Sequence, residues 1–460
     1  MAIISPDPSM QDLKITFQES TLVFPSQQTQ KKSLFLSNID QFLNFNVQTA
    51  HFFKANPHFP PEIAAKRLKM ALEKVLVPYD FMAGRLNWNH HLDRFKIDCN
   101  AAGAGFVVAS SEFSLDELGD LFRPNLGFRQ LAVEKLRNLD DDKQPLCVFQ
   151  VTAFKCGGFA IGVSLNHMLF DGLAAIMFQQ NLASLAFDDV DNKPLALIPC
   201  HDRRLLAARS PPLVTFQHPE FLKLDRRPFL SPPPVSDDSE EQLDFRLLKL
   251  SSRDLNFLKM KANEAAAEDG KSTTTAIKAT TFNVAAALVW RCRALSAHDF
   301  DHNKDRVSTI LYVVDLRSRL NPPLPAGYSG NALLVAYASA KCEDIEKWPF
   351  RKMVEMISQG VTRISDEYVK SVTDFLEINK GMIPRGDCIV SSWLRLGYDQ
   401  VEFPWGKPVC CTPVVNKLER IFWIFPDVDS DGVNVLVQRP AAEMETFQFH
   451  FHNFFAHNNI

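Results

Sequence analysis

No run of about twenty apolar residues occurs in this chain, so no helix of it is expected to cross a membrane. Cations are not in surplus: 50 lysines and arginines face 54 aspartates and glutamates, for a formal net charge of −4. Nucleic acid and anionic membranes are therefore not favoured as partners. The nine cysteines include no Cys-x-x-Cys pair, and the only close two, Cys410 and Cys411, are adjacent. Zinc spacing is absent and neighbouring cysteines make poor disulfides, so reduced thiols in a cytoplasmic protein are expected. Met1 to Pro6 shows no basic segment ahead of an apolar run, and a signal peptide is not expected. No Gly-x-Ser-x-Gly elbow offers a nucleophilic serine.

What is present suits a globular protein. Hydrophobic residues make up 46% of 460, long enough for two domains with full cores. Residues 146–185 organise the rest. Leu146 to Phe154 is apolar and β-branched and reads as a buried strand. Cys156-Gly157-Gly158 turns it, and Phe159 to Leu165 returns as a hairpin partner. After Asn166-His167-Met168-Leu169-Phe170-Asp171-Gly172, the residues Leu173, Ile176, Met177, Leu182 and Leu185 recur at helical spacing. A lone histidine thus stands between the end of a buried strand and a tight turn into a helix. Rigid scaffolds present chemistry at such places. His167 and Asp171 form the one His-x-x-x-Asp in the chain. Two readings stand: an imidazole tuned by burial for proton transfer, or a core histidine bonded to a nearby carboxylate.

Elsewhere, Ile15–Pro25 and Leu34–Thr49 read as short strands. Pro61 opens a helix to Val75 whose apolar face carries Ile63, Leu68, Leu72 and Val75. Strands follow near 83–86, 95–98 and 103–108. Strands and helices mix without regular alternation, which points to an α/β sandwich and away from a doubly wound sheet. Prolines crowd 201–242, read as a crossover laid on the surface through Phe216, Phe221 and Leu224. The expected organisation is an N-terminal lobe over 1–200, that crossover, and a C-terminal lobe over 243–460. The second lobe is read as a strand at Leu243–Leu250, a helix at Arg253–Ala267 and a mobile loop at Glu268–Lys271. Thr280-Thr281 then cap a helix through Leu295, followed by a strand at Ser308–Val314. One helix over Phe350–Val372 and strands near 388–396, 421–425 and 433–437 complete it. His450 and His452 alternate with Phe449 and Phe451 and read as a solvated edge, with no metal site expected.

Four blocks, in order, resemble the plant BAHD acyltransferases, which move an acyl group from a coenzyme A thioester to an alcohol or amine. Ala83-Gly84-Arg85-Leu86 lies in a segment similar to the family's Tyr-Pro-Leu-Ala-Gly-Arg-Leu. His167 to Gly172 matches its catalytic His-x-x-x-Asp-Gly. Asp315–Leu320, Pro322–Pro325 and Gly327–Asn331 match its Arg-and-Pro block. Ser391-Ser392-Trp393 precedes Glu402-Phe403-Pro404-Trp405-Gly406, which stands where the family has Asp-Phe-Gly-Trp-Gly. The resemblance implies a two-lobed, chloramphenicol-acetyltransferase-like α/β fold, with mixed sheets flanked by helices and an active-site channel at the interface. Asn38-Ile39-Asp40, Tyr79-Asp80-Phe81, Ala101–Ser111 and Arg203–Pro212 resemble the branch of hydroxycinnamoyl transferases that act on ω-hydroxy fatty acids and fatty alcohols. Glu402 keeps the family's carboxylate with one more methylene. Pro404 removes a backbone donor and holds φ near −65°.

The resemblance also implies roles. His167 is the general base for an alcohol, with direct transfer through a tetrahedral intermediate because the thioester is already activated. Asp171 pairs with Arg317 and fixes the turn, in place of orienting the ring as in a triad. Arg319 or a neighbour is left for Glu402, and Trp405 and Gly406 complete that structural motif. Ser391 and Trp393 stand where the oxyanion or acceptor is contacted; a core indole satisfied by a backbone carbonyl is the alternative for Trp393. Lys278, Thr280 and Thr281 fall on the coenzyme A side, where the threonines equally read as helix caps. Val47, Thr49 and His51 fall on the acceptor side, and Val47 beside Phe52-Phe53 favours an apolar or aromatic alcohol over a polyhydroxy acid. Arg385 reads as solvated surface. Acyl-CoA enters as co-substrate, no metal or permanently bound cofactor is implied, and a monomer is expected. The rivals are a short aliphatic acyl donor, a carrier-protein condensation domain, and a silent acyl-CoA-binding regulator.

Overall fold

The computed structural model describes residues 12–123, 125–187, 194–223, 243–264, 279–297, 303–414, 421–427 and 431–456. Leu224, the Glu268–Lys271 segment and Lys278 lie outside them. The first half gives β1 (Ile15–Val23), β2 (Lys32–Phe35), β3 (Asn46–Phe53), α1 (Pro61–Val75), β4 (Arg85–Asn89), β5 (Arg94–Cys99) and β6 (Ala104–Ser111). Then come β7 (Cys147–Ala153), β8 (Phe159–Asn166) and α2 (Gly172–Leu185). β7 and β8 form the expected hairpin, with Cys147 opposite Leu165 and Ala153 opposite Phe159. Phe149, Val151, Ile161 and Val163 on its one face share a core with α1 and α2, as the period-2 pattern demands. α1 packs through Ala64, Leu68, Ala71, Leu72 and Val75, while Ile63 is 41% exposed. A stripe through 64, 68, 71 and 75 leaves position 63 a quarter-turn outside, which corrects the predicted face.

The crossover supplies β9 (Phe221–Lys223), with Phe221 buried and Phe216 packed at 5.2 Å on the ring of Tyr368. The second half gives β10 (Leu243–Leu250), α3 (Ser252–Asn263), α4 (Thr281–Leu295), β11 (Val307–Asp315), β12 (Leu333–Lys341) and α5 (Cys342–Lys347). It continues with α6 (Phe350–Arg363), α7 (Asp366–Ile378), β13 (Met382–Pro384), β14 (Cys388–Ser392), β15 (Cys410–Pro413), β16 (Ile421–Pro426), β17 (Val433–Pro440) and α8 (Ala441–Ala456). The helix expected over Phe350–Val372 is two helices, because Ser365 accepts from Tyr368 N and caps a new start. The Phe-His alternation near the end belongs to α8, where Met444, Phe447 and Phe451 are buried at helical spacing while Phe449 and His452 face solvent and His450 is half-buried.

The two large sheets are mixed and six-stranded, in the orders β1-β6-β7-β8-β3-β15 and β10-β17-β16-β14-β11-β12, beside a three-stranded sheet β2-β5-β4 and the pair β13-β9. β6–β7, β11–β14 and β14–β16 run parallel. One strand crosses over: β15 pairs antiparallel with β3, placing Cys411 opposite His51. Val401, Phe403 and Trp405 just before it pack into the core of the first sheet. A segment from the second half therefore completes the first sheet, on the strand that follows Phe45, where His167 docks.

Candidate active site

β8 ends at Asn166, whose side-chain oxygen accepts from Met168 N at 3.0 Å and starts the turn. His167 N donates to Phe45 O at 2.8 Å, and its ring lies 5.2 Å from that of Phe45. The imidazole is half-buried. Its Nδ1 is sealed from solvent without a hydrogen-bond partner, which leaves Nε2 as the atom a hydroxyl reaches. Burial lowers the basicity of His167 below the ordinary imidazole value, opposed by its own backbone carbonyl and by the charge of Asp171. Its neutral form, the one a base requires, prevails near neutral pH.

Asp171 caps α2, accepting from Ala174 N at 2.8 Å. It also accepts from Ala332 N at 2.9 Å and from both terminal nitrogens of Arg317, each at 2.9 Å. Four bonds occupy the carboxylate, and none goes to His167. Arg317 reaches on to Asp315 at 2.7 Å and to the carbonyl of Gly330 at 3.2 Å. Arg319 does not meet Glu402: it donates to the carbonyls of Val361 and Ile364, closing the C-terminal end of α6. Glu402 is exposed, with no ion pair among the described residues, so the expected pair is corrected.

A second brace escaped the sequence reading. Arg203 and Asp40 form an ion pair at 2.8 Å with both side chains at 0% exposure. Arg203 donates to the carbonyls of Met168 at 2.9 Å and Leu169 at 2.5 Å. Asn331 joins it, donating to Asp40 Oδ1 at 2.7 Å and to the carbonyl of His167 at 2.9 Å. Asp40 also accepts from Ser37 N and Oγ. Gly330 is required beside them, since a Cβ there would stand 2.8 Å from Arg203 Cδ. The only available signal was that Asp40, Arg203 and the Gly327–Asn331 block all lie in segments already singled out by resemblance.

On β3, Val47, Thr49 and His51 share one face. At about 3.4 Å per residue they stand roughly 7, 14 and 20 Å along the strand from Phe45, where His167 docks. Thr49 Oγ1 and His51 Nε2 are 2.9 Å apart, and His51 Nδ1 lies 3.0 Å from Cys411 Sγ. Burial pushes the His51 imidazole down to about 4, so it is neutral. Tyr398, not anticipated, bridges this face to Trp393, with ring centroids 5.7 Å from His51 and 5.3 Å from Trp393. Leu396 of the same loop would meet a Cβ on Gly172 at 3.0 Å, which brings the loop against the start of α2. Ser391 Oγ and Trp393 Nε1 form no hydrogen bond among the described residues, contrary to the satisfied core indole. Thr280 caps α4, accepting from Asn283 N at 3.1 Å, and Thr281 opens the helix half-buried. Arg385 is exposed.

The Glu402–Gly406 motif is a tight turn in which Phe403 and Gly406 exchange backbone bonds at 3.2 and 2.9 Å. Pro404 occupies a corner whose N–H the turn does not use. The positive φ, +111°, falls on Gly406. Trp405 stacks on Phe403 at 4.9 Å and packs against Phe53 and Phe159. No group of three His, Cys, Asp or Glu able to hold a metal occurs among the described residues, and no described helix is long and apolar enough to cross a membrane.

The transferase-family model matches residues 13–454. Acyltransferase GLAUCE of Arabidopsis thaliana is 49% identical over 453 residues, covering 97% of each chain. Omega-hydroxypalmitate O-feruloyl transferase of Arabidopsis thaliana is 30% identical, covering 95% of this chain and 93% of that one. Among solved structures, vinorine synthase shares the fold with a TM-score of 0.69 at 20% identity, covering 94% of this chain and 96% of that one. With the model spanning nearly the whole sequence and relatives aligned end to end, the chain belongs to the BAHD acyltransferase family of acyl-CoA-dependent transferases.

Proposed function

We propose that this enzyme transfers a hydroxycinnamoyl group from its coenzyme A thioester to the hydroxyl of an apolar or aromatic alcohol. One observation carries the mechanism: a neutral imidazole with Nε2 open, beside a carboxylate whose hydrogen bonds are all spent elsewhere. Nε2 of His167 takes the hydroxyl proton as the oxygen attacks the thioester carbonyl carbon. Such base assistance is typically worth about 10²–10⁴-fold. The carbonyl oxygen becomes an oxyanion, met by the free donors Trp393 Nε1 and Ser391 Oγ. The intermediate collapses by breaking the C–S bond, and the imidazolium returns its proton to the departing thiolate. Thr280, Thr281 and Lys278 serve the coenzyme A side. Arg317, Trp405 and Gly406 support the frame.

β3 bears on the acceptor class. Val47 is apolar, and the polar atoms of Thr49, His51 and Cys411 are spent on one another, so that face has little to offer a polyhydroxy acid. Relatives named omega-hydroxypalmitate O-feruloyl transferase and fatty alcohol:caffeoyl-CoA acyltransferase, each 30% identical, support the same donor and acceptor. A second reading, a short aliphatic donor, is favoured by the similarity to taxadien-5-alpha-ol O-acetyltransferase of Taxus chinensis, also 30% identical. All nine cysteines are free, which supports work in the reducing cytoplasm. The test is turnover of feruloyl-, caffeoyl- and acetyl-CoA with an ω-hydroxy fatty acid, a long-chain alcohol and shikimate. Highest kcat/KM is expected for a hydroxycinnamoyl donor with a long-chain acceptor. Preference for acetyl-CoA, or for shikimate, would reject the assignment. Coenzyme A binding without turnover of any pair would make the chain a silent regulator.

A further inference from the structure

We propose that Asn331 orients the catalytic imidazole: its amide oxygen accepts the Nδ1–H of His167, so that Nε2 faces the substrate unprotonated. The inference rests on His167 acting as the base. The side chain of Asn331 is wholly buried, and one end of its amide contacts Asp40 Oδ1 at 2.7 Å and the His167 carbonyl at 2.9 Å. Both contacts are pure acceptors, so that end is the NH₂ and the other end is the oxygen. That oxygen is buried with no partner, and so is His167 Nδ1. One is an acceptor, the other donates in one of the two neutral tautomers, and their residues are already joined through the His167 carbonyl. The other acceptor beside Nδ1, the carbonyl of His167 itself, already takes the Asn331 NH₂, so the Nδ1–H tautomer directed at Asn331 leaves neither buried atom unmatched.

Asp171 cannot take this part, since four hydrogen bonds already occupy it. The amide itself is held from behind by the buried Asp40–Arg203 pair, with Gly330 admitting Arg203 at close range. A neutral acceptor also suits the job better than a carboxylate would. It selects the tautomer while adding little to the basicity of a ring that must stay unprotonated. An acceptor on Asn331 indeed opposes the effect of burial on His167 without cancelling it. Asn331 is thus a positioning residue, acting through His167.

The test is histidine ¹⁵N NMR on the full chain, with the His167 signal assigned by its loss in His167→Ala. The wild type is expected to show Nδ1 protonated and Nε2 bare in the neutral ring. In Asn331→Ala the ring is expected to become a mixture of tautomers. There kcat falls by about 10- to 100-fold, while KM for acyl-CoA hardly changes. Should that variant not fold, Asn331→Ser replaces it in the same measurement. An Nε2-protonated ring in the wild type overturns the inference without any variant. So does an unchanged tautomer in the variant, whether or not kcat falls, because the residue would then act only through the fold. Full turnover by His167→Ala would instead remove the base assignment and leave the tautomer result standing.

Discussion

Two buried carboxylate–arginine pairs brace the same short turn, and they grip it differently. Asp171 is part of the turn and takes Arg317 through its own side chain. Asp40 lies outside it and works at one remove: it holds Arg203, and Arg203 holds the carbonyls of Met168 and Leu169. The first pair pins one end of the turn by a side chain, the second pins its middle by the backbone. Neither carboxylate touches the imidazole. The charges therefore serve mainly as a mount, and reach the ring only through space, where both oppose the effect of burial on His167.

Separating mount from ring is the sharpest way to test that division. His167→Ala leaves both pairs intact, so transfer should fall by about 10²–10⁴-fold with melting temperature and coenzyme A binding unchanged. A lowered melt would make the ring part of the mount. Removing one acid strands a buried arginine, at a cost of about 3–5 kcal/mol. Asp40→Ala should cost more than Asp171→Ala, because Arg317 keeps Asp315 at 2.7 Å whereas Arg203 is fully enclosed and has no second carboxylate among the described residues. Denaturant midpoints in the reverse order would show that the two pairs had been ranked wrongly.

Acid separates the acceptor wall from both braces. His51 is held down to about 4 from an ordinary 6.5, so between those values the unfolded chain binds a proton that the folded chain refuses. That contribution to stability is fully present above pH 6.5 and drains away as pH falls toward 4, by up to about 3 kcal/mol. His51→Gln should flatten this part of the melting-temperature profile; an equally steep profile would point to other groups. The smallest effect is expected from Gly330→Ala. Its Cβ would stand 2.7 Å from Tyr328 Oη and 2.8 Å from Arg203 Cδ, a crowding worth about 1–3 kcal/mol. No change in the melt would mean that Arg203 has room to spare.

The β7–β8 hairpin and α2 were legible in the sequence because periods of 2 and 3.6 both appear there with clear turn residues between them. α8 was not, since Phe449, His450, Phe451 and His452 imitate a period of 2, while its packing face is Met444, Phe447 and Phe451. The start of α7 did carry a signal, Ser365 followed by Asp366-Glu367, which a continuous helical pattern concealed. β12 is rich in alanine, and small residues advertise neither period strongly. At the site, His167, Asp171 and Arg317 come from short recognisable blocks. Arg203 and Asn331 meet the turn through backbone carbonyls, and a carbonyl has no residue type by which a sequence could announce it. Tyr398 is likewise defined only by its neighbours.

The placement of β15 bears on how the chain matures during synthesis. Until residues 410–413 leave the ribosome, β3 waits with one edge unpaired, although every other strand of its sheet has long since emerged. An open edge of that kind invites pairing with a neighbouring nascent chain. Completion of the N-terminal sheet is thereby coupled to translation of residues 410–413, and a product halted shortly before Cys410 is left with the eight-residue β3 as its border where the finished enzyme presents only the four residues of β15.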